Sequence, residues 1–567
     1  MGNSTKQISE LVEEVARHDL VLPEMQRRYV WRSTQVRDLF DSLYRGYPVG
    51  SILVWERPFG EEARNLDVGE AAGARRSGQK LLLLDGQQRL TSLTSIIKDQ
   101  ELLVRGRKKS LDIVFNVLHP DFDEDEMLDV DATVEADDDD DGDDEDADAL
   151  DFEKKTFVVA TRRLMNQPGW VSLRQVFKQD SASLWMSVAE KLDLDLKSEV
   201  AKKILGRISK LQGIAKVMIP IVTLPSTMDY RTVTDVFCRV NSAGARLKGS
   251  DLALAQITSR WRGSLKLFEE FQKKYTTNGL QLFDLGFLVR ALVVFMTGQC
   301  KFLSISSIPV ERYDAAWKET KDALETAFDV VRNWGLYSFT LLSAPSLIIT
   351  IAYYMKSRPE EMSDLSLLHK WLLVASVCGH YSKGSSESIM DQDLAAIDKG
   401  VSLVDMFLAF QKQGWTGKIT EEEIKGKFHG SAYFGLMYLA MHEAGAKDWY
   451  QDSAISLGNV GSVLKVQFHH ICPQALLKAT QQYDVAEIND ISNLAFIGGN
   501  TNRRISAATP EVYLPKISEV NRRVQCVPMD ESLYPIDRFR EFLAARRKLL
   551  VEMLNQYLNG IHVDGVV

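Results

Sequence analysis

The chain has 567 residues, 45% apolar, 9% aromatic and 26% charged, with a formal net charge of −10. That is globular material, long enough for three or four domains of ~150 residues each. Five cysteines, Cys238, Cys300, Cys378, Cys472 and Cys526, are odd in number and widely spaced, with no Cys-x-x-Cys, which argues against a disulfide framework or a structural zinc site and for a reducing cytoplasm. No basic-then-apolar leader opens the sequence, and Lys6 breaks the myristoylation pattern. The charge is uneven: residues 121–151 hold nineteen acids and no Lys or Arg. The remainder therefore carries +9, a mild basicity that permits nucleic-acid binding.

Residues 22–31 read as an extended segment. Thr34 can cap a helix with Val36, Leu39, Phe40 and Leu43 on its apolar face, and Gly46 ends it. Residues 50–55 read as a strand, 60–79 as a polar loop and 81–84 as a buried strand. Asp85-Gly86 makes a turn, and Leu90, Leu93, Ile96 and Ile97 give the next helix its apolar face. Further strands are expected at 111–118, 156–160 and 218–224. Between them the run 121–151 is too charged to bury a core and reads as a disordered insertion within a domain. Residues 232–260 read as helix, turn, helix. From about 260 to 455 the periodicity is helical. The uncharged stretch 336–355 is about long enough to span a bilayer, but Pro345 and several Ser/Thr residues interrupt it, so a buried helix pair is expected and no membrane partner. No internal repeat is evident.

Three motifs carry chemistry. At 81–93, Leu-Leu-Leu-Leu-Asp-Gly-Gln-Gln-Arg-Leu-Thr-Ser-Leu runs a strand through a glycine turn into a helix N-terminus. Free N–H groups there favour a phosphate; Arg89 can add a bidentate contact, Asp85 can bind a metal or position water, and Gln87 and Gln88 are neutral hydrogen-bonders. An ordinary strand–turn–helix with a surface arginine is the alternative. At 237–255, Asn241, Ser242 and Gly244 make a turn, and Arg239, Asn241 and Arg246 can complete a phosphate pocket, to which Gln26 and Arg27 can also reach; Ser250 or Asp251 is better read as a helix cap. At the C-terminal end, His469-His470-Ile471-Cys472-Pro473 is followed by Asn493 and Asn502. Paired histidines on a short β-hairpin, with asparagines on a loop and helix beyond, suit a one-metal nuclease. One imidazole deprotonates water, while the other histidine and an asparagine hold a divalent ion against the scissile phosphate.

Together, Pro23-x-x-Gln26-Arg27-x-Tyr29-x-Trp31, Gly46-Tyr47-Pro48-x-Gly50-Ser51, Asp85-Gly86-Gln87-Gln88-Arg89-Leu90 and Asn241-Ser242-x-Gly244 resemble the N-terminal domain of GmrSD-type, modification-dependent (type IV) restriction enzymes. His470-Ile471-x-Pro473, Asn493-Leu494 and Asn502 resemble their HNH nuclease domain. The resemblance implies a multidomain α+β chain. Residues 1–260 form a ParB/sulfiredoxin-like domain that binds and hydrolyses nucleotide, centred on Asp85, Gly86, Gln87, Gln88 and Arg89; 261–455 form a helical domain; and 456–567 form a ββα-metal nuclease. It implies His470 as general base, Asn493 as the residue that orients the base or the hairpin, and Asn502 as metal ligand. His469 stands where such nucleases usually carry an acid, and a histidine can still ligate. Asn500 is an alternative to Asn502, and Arg503 and Arg504 are plausible phosphate clamps. The implied partners are modified double-stranded DNA, an NTP and Mg²⁺ or Mn²⁺; a homo-oligomer is left open. Two other readings compete: a non-catalytic ParB-like DNA-binding or assembly protein with a degenerate nuclease, and an NTPase switch acting through residues 85–89 alone.

Overall fold

A computed structural model describes residues 2–561 apart from 24–28, 30, 58–62, 65–79, 105–108, 121–154, 229–231, 234–235, 238, 241–248, 278–282, 303–304, 306–307, 362–364, 383–384, 452, 458–465 and 507. Gln26, Arg27, Asn241, Ser242, Gly244, Arg246 and the acidic run 121–151 therefore lie outside the described residues. The fold is mixed α+β and divides into two compact units, Met1–Ser259 and Arg260–Val567.

The first unit is built on a six-stranded mixed sheet from β1 (Gly2–Gln7), β2 (Leu20–Pro23), β3 (Ile52–Arg57), β4 (Ala63–Arg64), β5 (Lys80–Asp85) and β9 (Met218–Leu224), in the order β1-β9-β3-β5-β2-β4. β3 is parallel to β9 and β5 is parallel to β2; the other pairs are antiparallel. β6 (Ile113–Asn116), β7 (Phe157–Val159) and β8 (Trp170–Ser172) form a separate antiparallel sheet with β6 in the middle. The run of leucines in β5 is continuous because both faces of the sheet are covered. Leu83, with Ile52 and Val54 of β3, joins the core against helices α1 (Ile8–Ala16), α2 (Ser33–Arg45) and α3 (Gln87–Ile97). Leu82 and Leu84, with Leu53 and Trp55, join the core on the opposite face. α2 ends as its sequence predicts, on Gly46 in the left-handed region at φ 81°. The strand expected from residue 50 starts two residues later, because Gly50 itself sits at φ 84°. Two residues of the expected loop 60–79 instead pair with β2 as β4.

The second unit is helical until its last third. The stretch 336–355 is one buried helix, Leu347–Ser357, preceded by a single 3₁₀ turn, Phe339–Leu341, rather than the expected helix pair. Pro345 has no N–H to continue a helix and sits at its entry instead. Among the described residues, no helix is long and apolar enough to cross a membrane. β10 (Val466–His470) pairs antiparallel with β11 (Leu494–Gly498), with His469 opposite Ala495 and His470 opposite Leu494. They do not form the expected short hairpin: the connection 471–493 carries the helices Gln474–Thr480 and Val485–Ile488. The helix Gly499–Ile505 follows β11 directly.

Candidate functional site

In the first unit three of the sequence motifs converge on the start of α3. Gly86, at φ 96°, is the N-cap of α3. Arg89 lies one turn on, and its guanidinium donates to the Val49 carbonyl, to the Ser51 carbonyl (2.9 Å) and to the Asp85 carboxylate (3.0 Å). Gly50 sits at φ 84°, a left-handed conformation that favours glycine, and a Cβ there would lie 2.8 Å from Arg89 Nη1. The Trp31 N–H donates to Gln88 Oε1 (3.2 Å), and the Tyr29 hydroxyl bonds the Ser92 hydroxyl (2.8 Å). Arg89 is thus a clamp between loops; both of its terminal nitrogens are committed to protein oxygens. Gln87 is the contrasting group. It is 4% exposed, and its side-chain N–H donors have no partner among the described residues. Leaving such donors unmade costs about 1–3 kcal/mol, so this amide is the group at the turn that a ligand would satisfy. Arg239 is exposed on helical backbone.

At the C-terminal end, strand alternation separates the paired histidines. Gln467 and His469 face the helix Gly499–Ile505. His469 Nδ1 lies 2.8 Å from Asn502 Oδ1, and the Asn502 amide donates to Gln467 Oε1 (2.9 Å). Phe468 and His470 face the other way, as period-2 alternation requires. His470 Nε2 lies 3.1 Å from Asn489 Oδ1 and 3.0 Å from Gln474 Nε2. Its Nδ1 makes no hydrogen bond among the described residues. Burial pushes the pKa of His470 down to about 4 against the opposing bond to Asn489, with His429 and Lys478 adding to the depression. Burial also pushes His469 down to about 4, opposed by Asn502 and helped by His470. Both imidazoles are therefore neutral at pH 7, and each keeps one lone pair.

The tautomer of each ring decides where its lone pair sits. The Tyr513 hydroxyl donates to the Ile471 carbonyl (2.8 Å), so it turns its oxygen toward His469 Nε2 at 3.4 Å. At 2.8 Å Asn502 Oδ1 accepts from His469 Nδ1–H; in the other tautomer the proton sits on Nε2, facing the Tyr513 oxygen, and Nδ1 and Asn502 Oδ1 both present lone pairs. Adjacent ligands of an octahedral ion with bonds of about 2.1 Å lie about 3 Å apart, so a small divalent cation would fit this pair only in that second tautomer, with the Nδ1 proton displaced. Among the described residues no three His, Cys, Asp or Glu side chains cluster as a metal site; an ion here would complete its shell with water and substrate oxygens. Across the strand, His470 Nε2 faces both the Asn489 oxygen and the Gln474 amide nitrogen; in the tautomer protonated at Nε2, Asn489 accepts and Nδ1 is the basic atom.

Asn493 touches neither imidazole. Fully buried, it accepts from the Cys472 N–H (2.8 Å) and donates to the carbonyls of Cys472 (3.1 Å) and Ile488 (3.0 Å). It locks the chain leaving β10 to the chain entering β11, and so holds the hairpin rather than the ring. Asn500 accepts from Arg503 and is not brought to His469. Arg504 lies over the Tyr450 ring at 4.4 Å. Several supporting residues carry no motif. The buried Asp448 accepts from Gly498 N–H (2.6 Å) and the Thr501 hydroxyl (2.5 Å), fixing the start of the helix that bears Asn502. The Gln525 amide pairs with both backbone groups of Phe496 (2.9 and 2.7 Å), completing the free edge of β11. Arg546, fully buried, donates to the carbonyls of Ser492, Leu494 and Gln525.

Comparison with known proteins bears on the first unit. An uncharacterized protein of Methanocaldococcus jannaschii, MJ0686, is 21% identical over 564 residues, covering 92% of this chain and 88% of its own length. Residues 8–258 match the family described as GmrSD restriction endonuclease, N-terminal domain. That match supports a relationship to GmrSD-type restriction endonucleases, a family that acts on DNA.

Proposed function

We propose that this protein is a metal-dependent DNA endonuclease of the GmrSD type, with an HNH site at β10, β11 and the helix Gly499–Ile505, gated by nucleotide bound at the β5–α3 turn of a ParB/sulfiredoxin-like domain. The observation that carries the reading is the placement of two neutral imidazoles on opposite faces of one strand. One is hydrogen-bonded to Asn502 Oδ1 at 2.8 Å through the nitrogen that would ligate an ion. The other has its Nδ1 uncommitted. In-line displacement puts the entering water and the leaving oxygen on opposite sides of phosphorus, and the two imidazoles would serve those two roles. His470 Nδ1 takes the proton from water as its oxygen bonds phosphorus and the P–O3′ bond breaks. His469 and Asn502 would hold Mg²⁺ or Mn²⁺, which stabilises the charge on the phosphate and the departing oxygen. Asn493, Asp448 and Arg546 keep these elements in register, and Arg503 and Arg504, on the same helix as Asn502, are the proposed phosphate clamps. In the first unit, Asp85, Gly86 and Gln87 offer a carboxylate, a helix N-terminus and an unsatisfied amide donor to a nucleotide, with Gln88 beside them and Arg89 holding the loops around them. The preferred DNA is foreign and carries modified bases or backbone.

One factorial assay tests this: nicking of a plain plasmid and of hydroxymethylcytosine-containing phage DNA, with and without divalent ion and NTP, by wild type, His470→Ala and Asp85→Ala. Wild type nicks only with the ion. His470→Ala falls by about 10²–10⁴-fold, as expected for loss of a general base. Asp85→Ala keeps the nuclease site but loses NTP hydrolysis and the response to NTP. Nicking by His470→Ala at the wild-type rate overturns the base assignment. No cleavage by wild type under any combination leaves the DNA-binding or NTPase-switch readings.

A further inference from the structure

The face of β10 that carries His470 also carries exposed aromatic surface. Phe468 is 44% exposed and Phe428 53% exposed. His429 stacks on Phe468, with ring centroids 4.9 Å apart and planes 15° apart, and meets Phe428 edge-on at 5.8 Å. Phe434 backs Phe468 at 5.7 Å and in turn packs on Phe496 of β11 at 5.0 Å. The loop bearing Phe428 and His429 is pinned to the strand connection. Gly426 N–H donates to the Asp490 carboxylate (2.7 Å), and Ile491 N–H donates to the Lys427 carbonyl (2.7 Å). A Cβ on Gly430 would lie 2.5 Å from Phe428 Cε2, so the Phe428 ring is seated against that backbone. These rings are exposed yet held, and a partner can use them at little entropic cost.

Charge identifies the partner. The cation that bears on His470 is Lys478, and Lys427 directly precedes Phe428. Of the nearest acid run by sequence, 421–423, Glu423 is turned to its own helix start, where it accepts from Thr420 N–H (2.8 Å). Flat apolar rings bordered by cationic groups suit a polyanion with flat apolar faces, which is a nucleic acid. We infer that Phe428 and Phe468 form a platform on which a base displaced from the duplex rests, beside the phosphate that His470 serves. The inference rests on the nuclease reading of His469, His470 and Asn502.

The test uses the full chain with Ca²⁺ in place of Mg²⁺ and the duplex, plain or hydroxymethylcytosine-containing, that the nicking assay shows to be cut. 2-Aminopurine is placed in turn on each side of the cut bond. Wild type raises its fluorescence at one of these positions, the signature of an unstacked base. Phe428→Ala and Phe468→Leu lose that rise and bind about 5- to 100-fold more weakly, the range for one lost stacked base, while Phe428→Ala melts as wild type does. If wild type cuts DNA but both variants keep the fluorescence rise and the Kd, the platform falls and the nuclease reading stands. If the variants change the oligomeric state by sedimentation and not the Kd, the surface is a protein interface and the inference is overturned. If wild type neither cuts nor binds either duplex, both readings fall together.

Discussion

His469 shows how one hydroxyl can set the chemistry of a neighbouring ring. Tyr513 gives its proton to the Ile471 carbonyl and so presents only an acceptor to His469 Nε2. Partners of this kind fix the tautomer of a metal-binding histidine and typically change metal affinity 10- to 100-fold. Tyr513→Phe keeps the ring contact with Trp449, whose centroid lies 6.0 Å away, and removes the acceptor. We expect Mn²⁺ affinity, read by EPR of the full-length protein, to fall by about tenfold or more while the melting temperature changes little. Unchanged Mn²⁺ affinity would show that Asn502 and Gln467 alone orient the ring. At this scale the sequence names the candidate residues but not their directions. His469-His470 reads as a pair, and only strand alternation shows that the two rings diverge. Arg89 reads as a phosphate contact, yet the carbonyls that occupy it come from Val49 and Ser51, which no pattern in 81–93 can announce.

Among the elements, the helix Ser366–Val377 carries a half-buried titratable group away from both sites. His369 stacks on Trp334, with centroids 4.4 Å apart and planes 8° apart, and its Nε2 lies 3.4 Å from the Tyr557 hydroxyl on the C-terminal helix Phe539–Gly560. Burial alone pushes its pKa from 6.5 down to about 4. The folded state therefore binds this proton less readily than the unfolded state. The associated stability is present above about pH 6.5 and is lost as pH falls toward 4. From about pH 7 to pH 5 the loss from this one group is about 2 kcal/mol. In urea melts, His369→Phe should flatten the acid limb by that amount; an unchanged limb would mean the other buried histidines account for it. Elements were legible wherever periodicity was strong: β9 and α3 through their apolar patterns, and α2 through Gly46. The connection 471–493 was not, because short helices leave too little period to read. Arg546 did leave a signal. It occupies the apolar stripe of its helix between Phe542 and Leu550, both fully buried, and a cation in such a stripe must find acceptors.

For the whole molecule, the decisive quantity is where the charge sits. Nineteen of the 78 acids fall between residues 121 and 151, and without them the formal charge changes from −10 to +9. Non-specific DNA affinity is set by phosphate contacts and released counterions, and it weakens steeply with salt. An acidic run of this size opposes that attraction in proportion to its proximity to the DNA-binding face. The screening length decides the range: about 10 Å at 0.1 M salt but about 30 Å at 0.01 M. Replacing 121–151 by a neutral Gly/Ser linker of equal length should therefore raise affinity for plain duplex DNA at low salt, with the curves for variant and wild type converging as salt rises. Fluorescence anisotropy across a salt series reads this directly. An advantage confined to the lowest salt places the run far from bound DNA and acting through the overall field; an advantage that persists to about 0.1 M places it within roughly one screening length. Identical affinity at every salt concentration would show that the nineteen charges serve solubility and have no part in DNA recognition.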